Sequence, residues 1–111
     1  MPLPGVSKMR LYVVISTAGL TPAQQGVQAG HAVAKWLLAY PSFWQNEILI
    51  YAQVNSEESL LAYAGRIQAM GGNLVLYQDT DLGNFYTALA TADEIAGRVI
   101  KRLPLWLPCC K

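Results

Sequence analysis

TPAQQGVQAGHAVAKW, residues 21–36, carries the clearest structural signal in this sequence, and it follows the apolar run Leu11–Ile15 after a short loop. Thr21 and Gln24 have the three-residue spacing of a capping box, and Pro22 stands at the first helical position, where proline is favoured. A continuous apolar run is typical of a strand that is buried on both faces. The sequence therefore predicts a buried strand followed by a helix that begins at Thr21.

Two stripes of residues run along this predicted helix. The polar stripe has the spacing of one helix face and consists of Gln24, Gln28, His31 and Lys35. The apolar stripe beside it consists of Ala23, Val27, Gly30, Ala34 and Leu37. We expect the apolar stripe to be the packing face, and the helix to end at Leu38 or Ala39, before Pro41.

The remaining elements follow from apolar runs and from capping and stop residues. Three more strands are predicted, at Ile48–Val54, Leu74–Tyr77 and Tyr86–Ala92. A second helix is predicted between the cap Ser56 and the stop Gly71-Gly72, and a third between the cap Asp93 and Pro104. In the last strand Ala88, Ala90 and Ala92 share one face, which suits the close approach of a helix.

The order of these elements, β-α-β-α-β-β-α, predicts the fold class. Helical crossovers join the first three strands, which we therefore expect to be parallel. The short loop after the third strand makes the fourth strand antiparallel to it. We predict a single α/β domain with a four-stranded mixed sheet, three strands parallel and one antiparallel, and with helices on both faces. The 111 residues suffice for one core, which we expect to span roughly residues 9–105.

Composition bears on assembly and on partners. Charged residues make up 14% of the chain and apolar residues 53%, whereas a soluble domain has about 25% charged residues. A small monomer has too much surface to hide this apolar excess, so we expect a homodimer. The net charge of +1 gives no general signature of nucleic-acid binding. We therefore expect no DNA partner, and any contact with tRNA must come from a local patch.

The sequence also predicts the compartment. No stretch approaches the roughly 20 apolar residues of a membrane span, and the first ten residues, MPLPGVSKMR, lack an apolar signal segment. We interpret the adjacent Cys109 and Cys110 as reduced thiols of a C-terminal tail. Since His31 is the single histidine, we expect no metal site. These features favour a cytoplasmic protein with no membrane partner.

Polar residues gather at one edge of the predicted sheet. In open α/β sheets, ligands bind beyond the carboxyl ends of the parallel strands. At this edge the sequence places Ser16, Thr17, Asn55, Ser56, Asp79, Asp81 and Asn84. The amino end of the first helix could hold an oxyanion there, while a carboxylate accepts a proton from water. The same residue types are ordinary loop formers and helix caps, so the structural interpretation stays open beside the functional one.

The helix residues allow two interpretations as well. His31 lies about 15 Å along the helix axis from Thr21, at a rise of 1.5 Å per residue, which is too far to act at the amino end. It is either a hydrogen-bonded packing residue or a catalytic one. Gln24 and Gln28 lie nearer the edge, and their amides can orient a substrate but cannot act as bases.

Residues 27–32, VQAGHA, and the order of elements around them resemble the type 2 peptidyl-tRNA hydrolases, whose first helix carries K-G-K-x-x-A-Q-x-x-H-A. The resemblance covers roughly residues 9–105. Asp79 stands where the family has an aspartate after the third strand, and Thr87 lies in the matching fourth strand. The loop 79–84, DTDLGN, is similar to a PDLGN-type loop in a divergent bacterial and phage branch.

The resemblance implies a homodimer that needs no cofactor and hydrolyses the ester between a peptidyl group and the 3′ ribose of tRNA. The implied catalytic residues are Asp79, Asp81, Gln28 and His31. The substrate-binding residues of this hypothesis are Thr21, Gln24 and Thr87. Arg98 and Lys101 of the last predicted helix are candidates for contact with tRNA phosphates, although a solvated face is the usual role of such residues. One aspartate would orient or deprotonate the attacking water, the glutamines would hold the carbonyl, and His31 would support the helix.

The family's two lysines fall on Pro22 and Gln24, so a cation expected near the oxyanion is absent. Loss of one such donor typically costs on the order of 2.7–4 kcal/mol in the transition state. Two alternatives therefore stay open. One is a binding module on the same fold that recognises tRNA or a protein, and the other is an esterase for a smaller acyl ester.

Overall fold

The computed structural model describes residues 9–92 and 94–106. Three predictions concern residues outside these ranges: the N-terminal tail, the cap at Asp93 and the thiols of Cys109 and Cys110. The described elements are β1 (Arg10–Ser16), α1 (Pro22–Ala39), β2 (Ile48–Val54), α2 (Glu57–Ala69), β3 (Val75–Asp79), β4 (Phe85–Thr91) and α3 (Glu94–Ile100). The predicted order of elements is confirmed, and strand and helix ends differ from the predicted ones by a residue or two.

The capping box that begins α1 is present. The Thr21 side chain accepts a hydrogen bond from the backbone N–H of Gln24 at 3.2 Å, and the Gln24 side chain accepts one from the Thr21 N–H at 2.9 Å. Pro22 occupies the first turn. Two N–H groups that a helix start leaves without partners are thereby satisfied, which is why the local sequence predicts this boundary so well.

The strand order is β2-β1-β4-β3, so the prediction of a sheet with three parallel strands is wrong as to pairing, because β3 pairs with the antiparallel β4 and not with β1 or β2. Among the described strands, β1 and β2 alone form a parallel pair, with Arg10 opposite Ile48 and Ser16 opposite Val54. Strand β4 pairs antiparallel with both β1 and β3. After the short turn that follows β3, β4 enters the centre of the sheet and separates β3 from β1.

This arrangement still brings three strand ends to one edge. Because β4 is antiparallel to β1 and to β3, the strands β1, β2 and β3 point in the same direction. Their carboxyl ends, at Ser16, Val54 and Asp79, therefore face the same edge of the sheet. The amino ends of α1 and α2 follow directly after β1 and β2 at this edge.

Helices cover both faces of the sheet. One core joins α1 to one face of β1 and β4, and includes Trp36, Ala29, Ala32, Ala88 and Ala90. The small side chains on both sides allow α1 to lie close to β4, as the alanine pattern of β4 predicts. The other core joins α2 and α3 to the opposite face and consists of Val14, Ala52, Val54, Leu60, Ala64, Ile67, Leu89, Ala96 and Ile100.

The buried face of α1 is not the predicted one. The buried residues are Gln25, Gln28, Ala29, Ala32 and Trp36. The apolar stripe that was expected to pack is exposed instead, and Val27 and Leu37 keep 56% and 38% of their surface. Residues 25, 29, 32 and 36 have the same helical spacing as the expected stripe, so periodicity alone does not choose between the two faces. Burial of Trp36 and hydrogen bonding of both glutamines favour the observed face.

A β-bulge interrupts the pairing of β3 with β4 at Thr87. Tyr77 pairs with Ala88 and Gln78 with Tyr86, so Thr87 is the extra residue on β4. A bulge re-aims a side chain and bends the strand locally. Here the Thr87 hydroxyl reaches α1, on the same face of the sheet as Ala88.

In the part of the chain that the structure describes, no helix is long and apolar enough to cross a membrane.

Candidate functional site

A chain of hydrogen bonds between three buried side chains joins β4, α1 and the end of β3. The Thr87 hydroxyl donates to Gln28 Oε1 at 2.5 Å, and Gln28 Nε2 donates to Asp79 Oδ2 at 2.8 Å. Thr87, Gln28 and Asp79 keep only 4%, 2% and 8% of their surface. Because the carboxylate can only accept from the amide nitrogen, both partners fix the orientation of the Gln28 amide. We call this chain the polar triad.

The Asp79 carboxylate accepts two further hydrogen bonds from its own loop. The backbone N–H groups of Asp81 and Leu82 donate to Oδ1 at 2.8 and 3.1 Å. The hydrogen bond from Gln28 lowers the pKa of Asp79 below its ordinary 3.8, and the two backbone donors and the nearby charge of His31 lower this pKa further, against the opposing effect of burial. Asp79 is therefore an ionised carboxylate with three donors.

His31 lies beside the polar triad on the same helix. It follows Gln28 by one turn, and its ring stacks on Tyr77 with 4.6 Å between ring centroids and 7° between planes. His31 is exposed, so it is a surface residue rather than a core residue. Burial raises the pKa of Tyr77, and the charges of Asp79 and Asp81 raise it further, so this phenol stays neutral. The stack holds the imidazole near Asp79.

A cavity of about 450 Å³ opens next to the polar triad. Its size is within the range of small-molecule sites. The lining residues come from the β1–α1 loop, the first turn of α2 and the β3–β4 hairpin: Ser16, Ala18, Gly19, Leu20, Glu57, Leu82, Phe85, Tyr86 and Thr87. Thr87 belongs both to this lining and to the polar triad. The cavity and the buried carboxylate therefore lie at the same edge of the sheet, although Gln28 and Asp79 themselves do not line the cavity.

Glu57 is the charged residue of the cavity lining, and the sequence analysis did not identify it as a site residue. It is the first residue of α2, and its Oε2 accepts a hydrogen bond from the backbone N–H of Tyr86 at 2.8 Å. In the sequence it resembles an ordinary acidic residue in a first helical turn. Only the pairing of β4 inside the sheet brings Tyr86 to this helix end. The local sequence carries no signal of that contact.

A second pair of hydrogen bonds holds the β1–α1 loop, which forms one wall of the cavity. Gln25 Nε2 donates to the Leu20 carbonyl at 2.8 Å, and the Trp106 indole N–H donates to Gln25 Oε1 at 2.7 Å. The adjacent Gly19 has a φ of 70°, a conformation that favours glycine. The C-terminal segment thus supports the cavity wall through Gln25.

The other sequence-predicted residues lie outside the polar triad. Thr21 and Gln24 are exposed and bind each other in the capping box, which occupies the side-chain oxygens of both. Asp81 contributes its backbone N–H, while its side chain is exposed. These three residues stand at the correct edge of the sheet but do not line the cavity.

The basic residues predicted to contact phosphate lie elsewhere. Arg98 is an exposed residue of α3, and Lys101 is exposed just after this helix. Helix α3 packs on the face opposite to α1 and follows β4, whose carboxyl end lies at the edge away from Asp79. Neither residue lines the cavity. The structure does not bring these two cations to the polar triad.

Within residues 9–92 and 94–106, no group of three or more His, Cys, Asp or Glu side chains is arranged to hold a metal ion. The chain matches no known protein family and no curated protein.

Proposed function

We propose that the chain is an ester hydrolase that cleaves the bond between a peptidyl or N-acyl-aminoacyl group and tRNA. The observation that carries this proposal is the polar triad at the side of an apolar cavity. The similarity of residues 27–32 to the type 2 peptidyl-tRNA hydrolases supports it, because Gln28, Asp79 and Thr87 are matched residues and all three are in contact.

Asp79 has the hydrogen bonding needed to orient a water molecule. Two backbone donors occupy Oδ1 and Gln28 occupies one position on Oδ2, so about one of the roughly four acceptor positions of this carboxylate is free. Water that donates to this position points its oxygen lone pair away from Asp79, toward a substrate in the cavity. Because its lowered pKa makes Asp79 a weak base, we assign it the orientation of water rather than full deprotonation.

Gln28 has a second N–H besides the one that binds Asp79. In the proposed reaction this N–H donates to the carbonyl oxygen as negative charge develops on it. The water oxygen bonds to the carbonyl carbon, the ester C–O bond breaks, and the water proton goes to the departing ribose oxygen. The polar triad holds the amide in place before the reaction, so no reorganisation is needed when charge develops. No cofactor takes part in these steps.

The acyl group fits the cavity in this proposal. Leu20, Leu82 and Phe85 offer apolar surface, and Thr87 places the polar triad beside it. His31 lies on the outer side of Asp79, where its charge favours the ionised carboxylate. We therefore assign His31 an electrostatic role instead of the support of the helix that the sequence suggested.

Release of the acyl group from purified N-acetyl-aminoacyl-tRNA at low salt tests the proposed function. We expect turnover by the unaltered protein and its loss in Asp79→Ala. Binding of tRNA without any turnover would overturn the proposal in favour of a binding module on this fold. The Asp79→Ala protein must show the circular dichroism of a folded chain for the comparison to count.

A smaller acyl ester is the second candidate substrate, and the charge of the site favours it. Among the described residues, the cavity lining contains one carboxylate and no Lys or Arg, so it offers no track for phosphates. Contacts to tRNA phosphates must make the affinity fall steeply with salt, whereas a small neutral ester has no such dependence. If Arg98 and Lys101 bind phosphates, replacing either with alanine reduces the salt slope by about 1. Salt-independent cleavage of a small ester favours the second candidate.

We also propose that the protein is a cytoplasmic homodimer. Val27 and Leu37 on α1 are exposed beside Leu38, which keeps 86% of its surface, and together they form an apolar strip on the outer face of the helix. A second copy that covers this strip would bury apolar surface that a monomer leaves exposed to water. Sedimentation of the protein and of Leu38→Glu tests this, and an unaltered protein that sediments as a monomer contradicts it.

A further inference from the structure

The cavity beside the polar triad carries one charge in an otherwise neutral wall. Of its nine lining residues, Glu57 is the charged one. Ala18, Leu20, Leu82 and Phe85 supply apolar surface. Glu57 itself is half-buried, and no Lys or Arg among the described residues lines the cavity to neutralise it. This carboxylate makes the cavity electrostatically favourable for a positively charged ligand.

Glu57 also has unused acceptor positions. Its Oε2 accepts one hydrogen bond, from the backbone N–H of Tyr86, whereas Asp79 accepts three. A carboxylate offers roughly four acceptor positions, so Glu57 can accept further donors from a ligand. Its position in the first turn of α2 and the bond to Tyr86 hold the side chain at the cavity wall. Glu57 is thus the carboxylate of the cavity lining, and it is available to a ligand.

We propose that this cavity binds a primary ammonium group carried on an apolar body, with the Glu57 carboxylate as the acceptor of the ammonium protons. The apolar walls bury the body of such a ligand, and the ammonium donates charge-assisted hydrogen bonds to Glu57. A neutral ligand of the same shape still buries its apolar body but loses the charge-assisted hydrogen bonds to Glu57. An anionic ligand is repelled by the same carboxylate.

This site narrows the substrate class of the proposed ester hydrolase, and that part of the inference rests on the proposed function. A short peptidyl group with a free amino terminus carries an ammonium on an apolar body. An N-acetylated group lacks the cation. Because Thr87 belongs to both the cavity and the polar triad, a ligand held by Glu57 lies in the cavity that the Thr87 end of the triad lines. We therefore expect esters with a free amino terminus to be cleaved in preference to N-acetylated ones.

Binding of two amides that differ only in the amino group tests the site without any reaction. Phenylalaninamide has the ammonium, and 3-phenylpropanamide has the same ring and amide without it. At about pH 6.5 an α-amino group with a pKa of about 7.7–8.0 is protonated. We expect the unaltered protein to bind phenylalaninamide about tenfold or more tightly than 3-phenylpropanamide, as measured by NMR titration of backbone amides. Equal affinity for the two amides overturns the proposal.

Two variants locate the charge responsible. Glu57→Gln keeps the size of the side chain and an oxygen that can accept from Tyr86 N–H, but removes the charge. Glu58→Gln removes the same charge from the next residue, which is exposed and does not line the cavity. We expect Glu57→Gln to lose the preference for phenylalaninamide and Glu58→Gln to keep it. A preference that survives in Glu57→Gln, or that disappears equally in both variants, assigns the effect to general electrostatics and overturns the site.

The outcome is separable from that of the hydrolase proposal. Preferential binding of phenylalaninamide together with no cleavage of any tested ester supports the ammonium site and contradicts the proposed function. Cleavage of peptidyl esters with a free amino terminus and of their N-acetylated forms at equal rates, with equal binding of the two amides, supports a hydrolase and contradicts the ammonium site.

Discussion

The hydrogen bond between Thr87 and Gln28 gives the sharpest prediction about stability. Replacing Thr87 with valine keeps the shape of the side chain and removes the hydroxyl that donates to Gln28 Oε1. Thr87 is 4% exposed and Gln28 2% exposed, so water does not replace the lost donor. A buried acceptor left without a partner costs about 1–3 kcal/mol. We expect Thr87→Val to lower the free energy of unfolding by this amount, measured by urea denaturation.

A double-mutant cycle separates this bond from other effects of the substitution. Gln28→Leu removes the acceptor, so Thr87→Val should cost much less in that background than in the unaltered protein. We expect a coupling free energy of about 0.5–3 kcal/mol between the two positions, which is the range for residues in contact. If the two substitutions are additive within about 0.3 kcal/mol, the side chains are not bonded and the polar triad does not exist as described.

The remaining predictions concern packing and pH. Gly97→Ala places a Cβ 2.8 Å from the Tyr12 ring, so we expect it to lower the free energy of unfolding, measured in urea, by about 1–3 kcal/mol. The matched change Gly65→Ala has nothing within 4 Å of its Cβ and should stabilise α2 by about 0.5–1 kcal/mol. The hydrogen bond from Gln28 is the largest cause that holds the pKa of Asp79 below 3.8 in the folded chain. Ionised Asp79 therefore stabilises the folded chain above that pH. This stabilisation is lost as the pH falls through the lower pKa of the folded state. The difference in unfolding free energy between the unaltered protein and Asp79→Asn should therefore shrink on acidification, and a difference that stays constant down to about pH 2 contradicts the assignment.

The local sequence could predict the elements and the edge at which the site lies. The capping box of Thr21 and Gln24 begins α1 where expected, because both partners lie within one turn. The apolar run Leu11–Ile15 lies in β1. Helix α1 connects β1 to β2, and helix α2 connects β2 to β3. The position of Asp79 at the carboxyl edge depends only on strand direction, which the element order indicates correctly.

The strand order could not be predicted in the same way. The turn between β3 and β4 makes these strands antiparallel neighbours whether β4 lies in the centre of the sheet or at its edge. Pairing of β4 with β1, through contacts such as Val13 with Ala90, decides between the two arrangements. These residues are far apart in the sequence, and no local pattern records their contact.

The buried face of α1 could not be predicted because two stripes have the same period. Gln25 and Gln28 look like surface residues, and an apolar residue such as Val27 looks like a core residue. Their actual burial depends on distant partners, since Gln25 bonds Trp106 and Gln28 bonds Asp79. Polar residues become buried where a partner satisfies them, and this information lies in the tertiary structure.

The catalytic role of the polar triad is best tested by the hydrolysis of N-acetyl-aminoacyl-tRNA by Asp79→Asn and by Asp81→Asn, because the two variants remove the same charge from neighbouring residues. Asp79 is buried and bonded to Gln28, whereas the Asp81 side chain is exposed. With both variants folded, we expect the rate of hydrolysis to be lower by about 100-fold or more for Asp79→Asn and close to that of the unaltered protein for Asp81→Asn. A folded Asp79→Asn protein that hydrolyses the ester at the full rate would contradict the claim that the polar triad is the catalytic site.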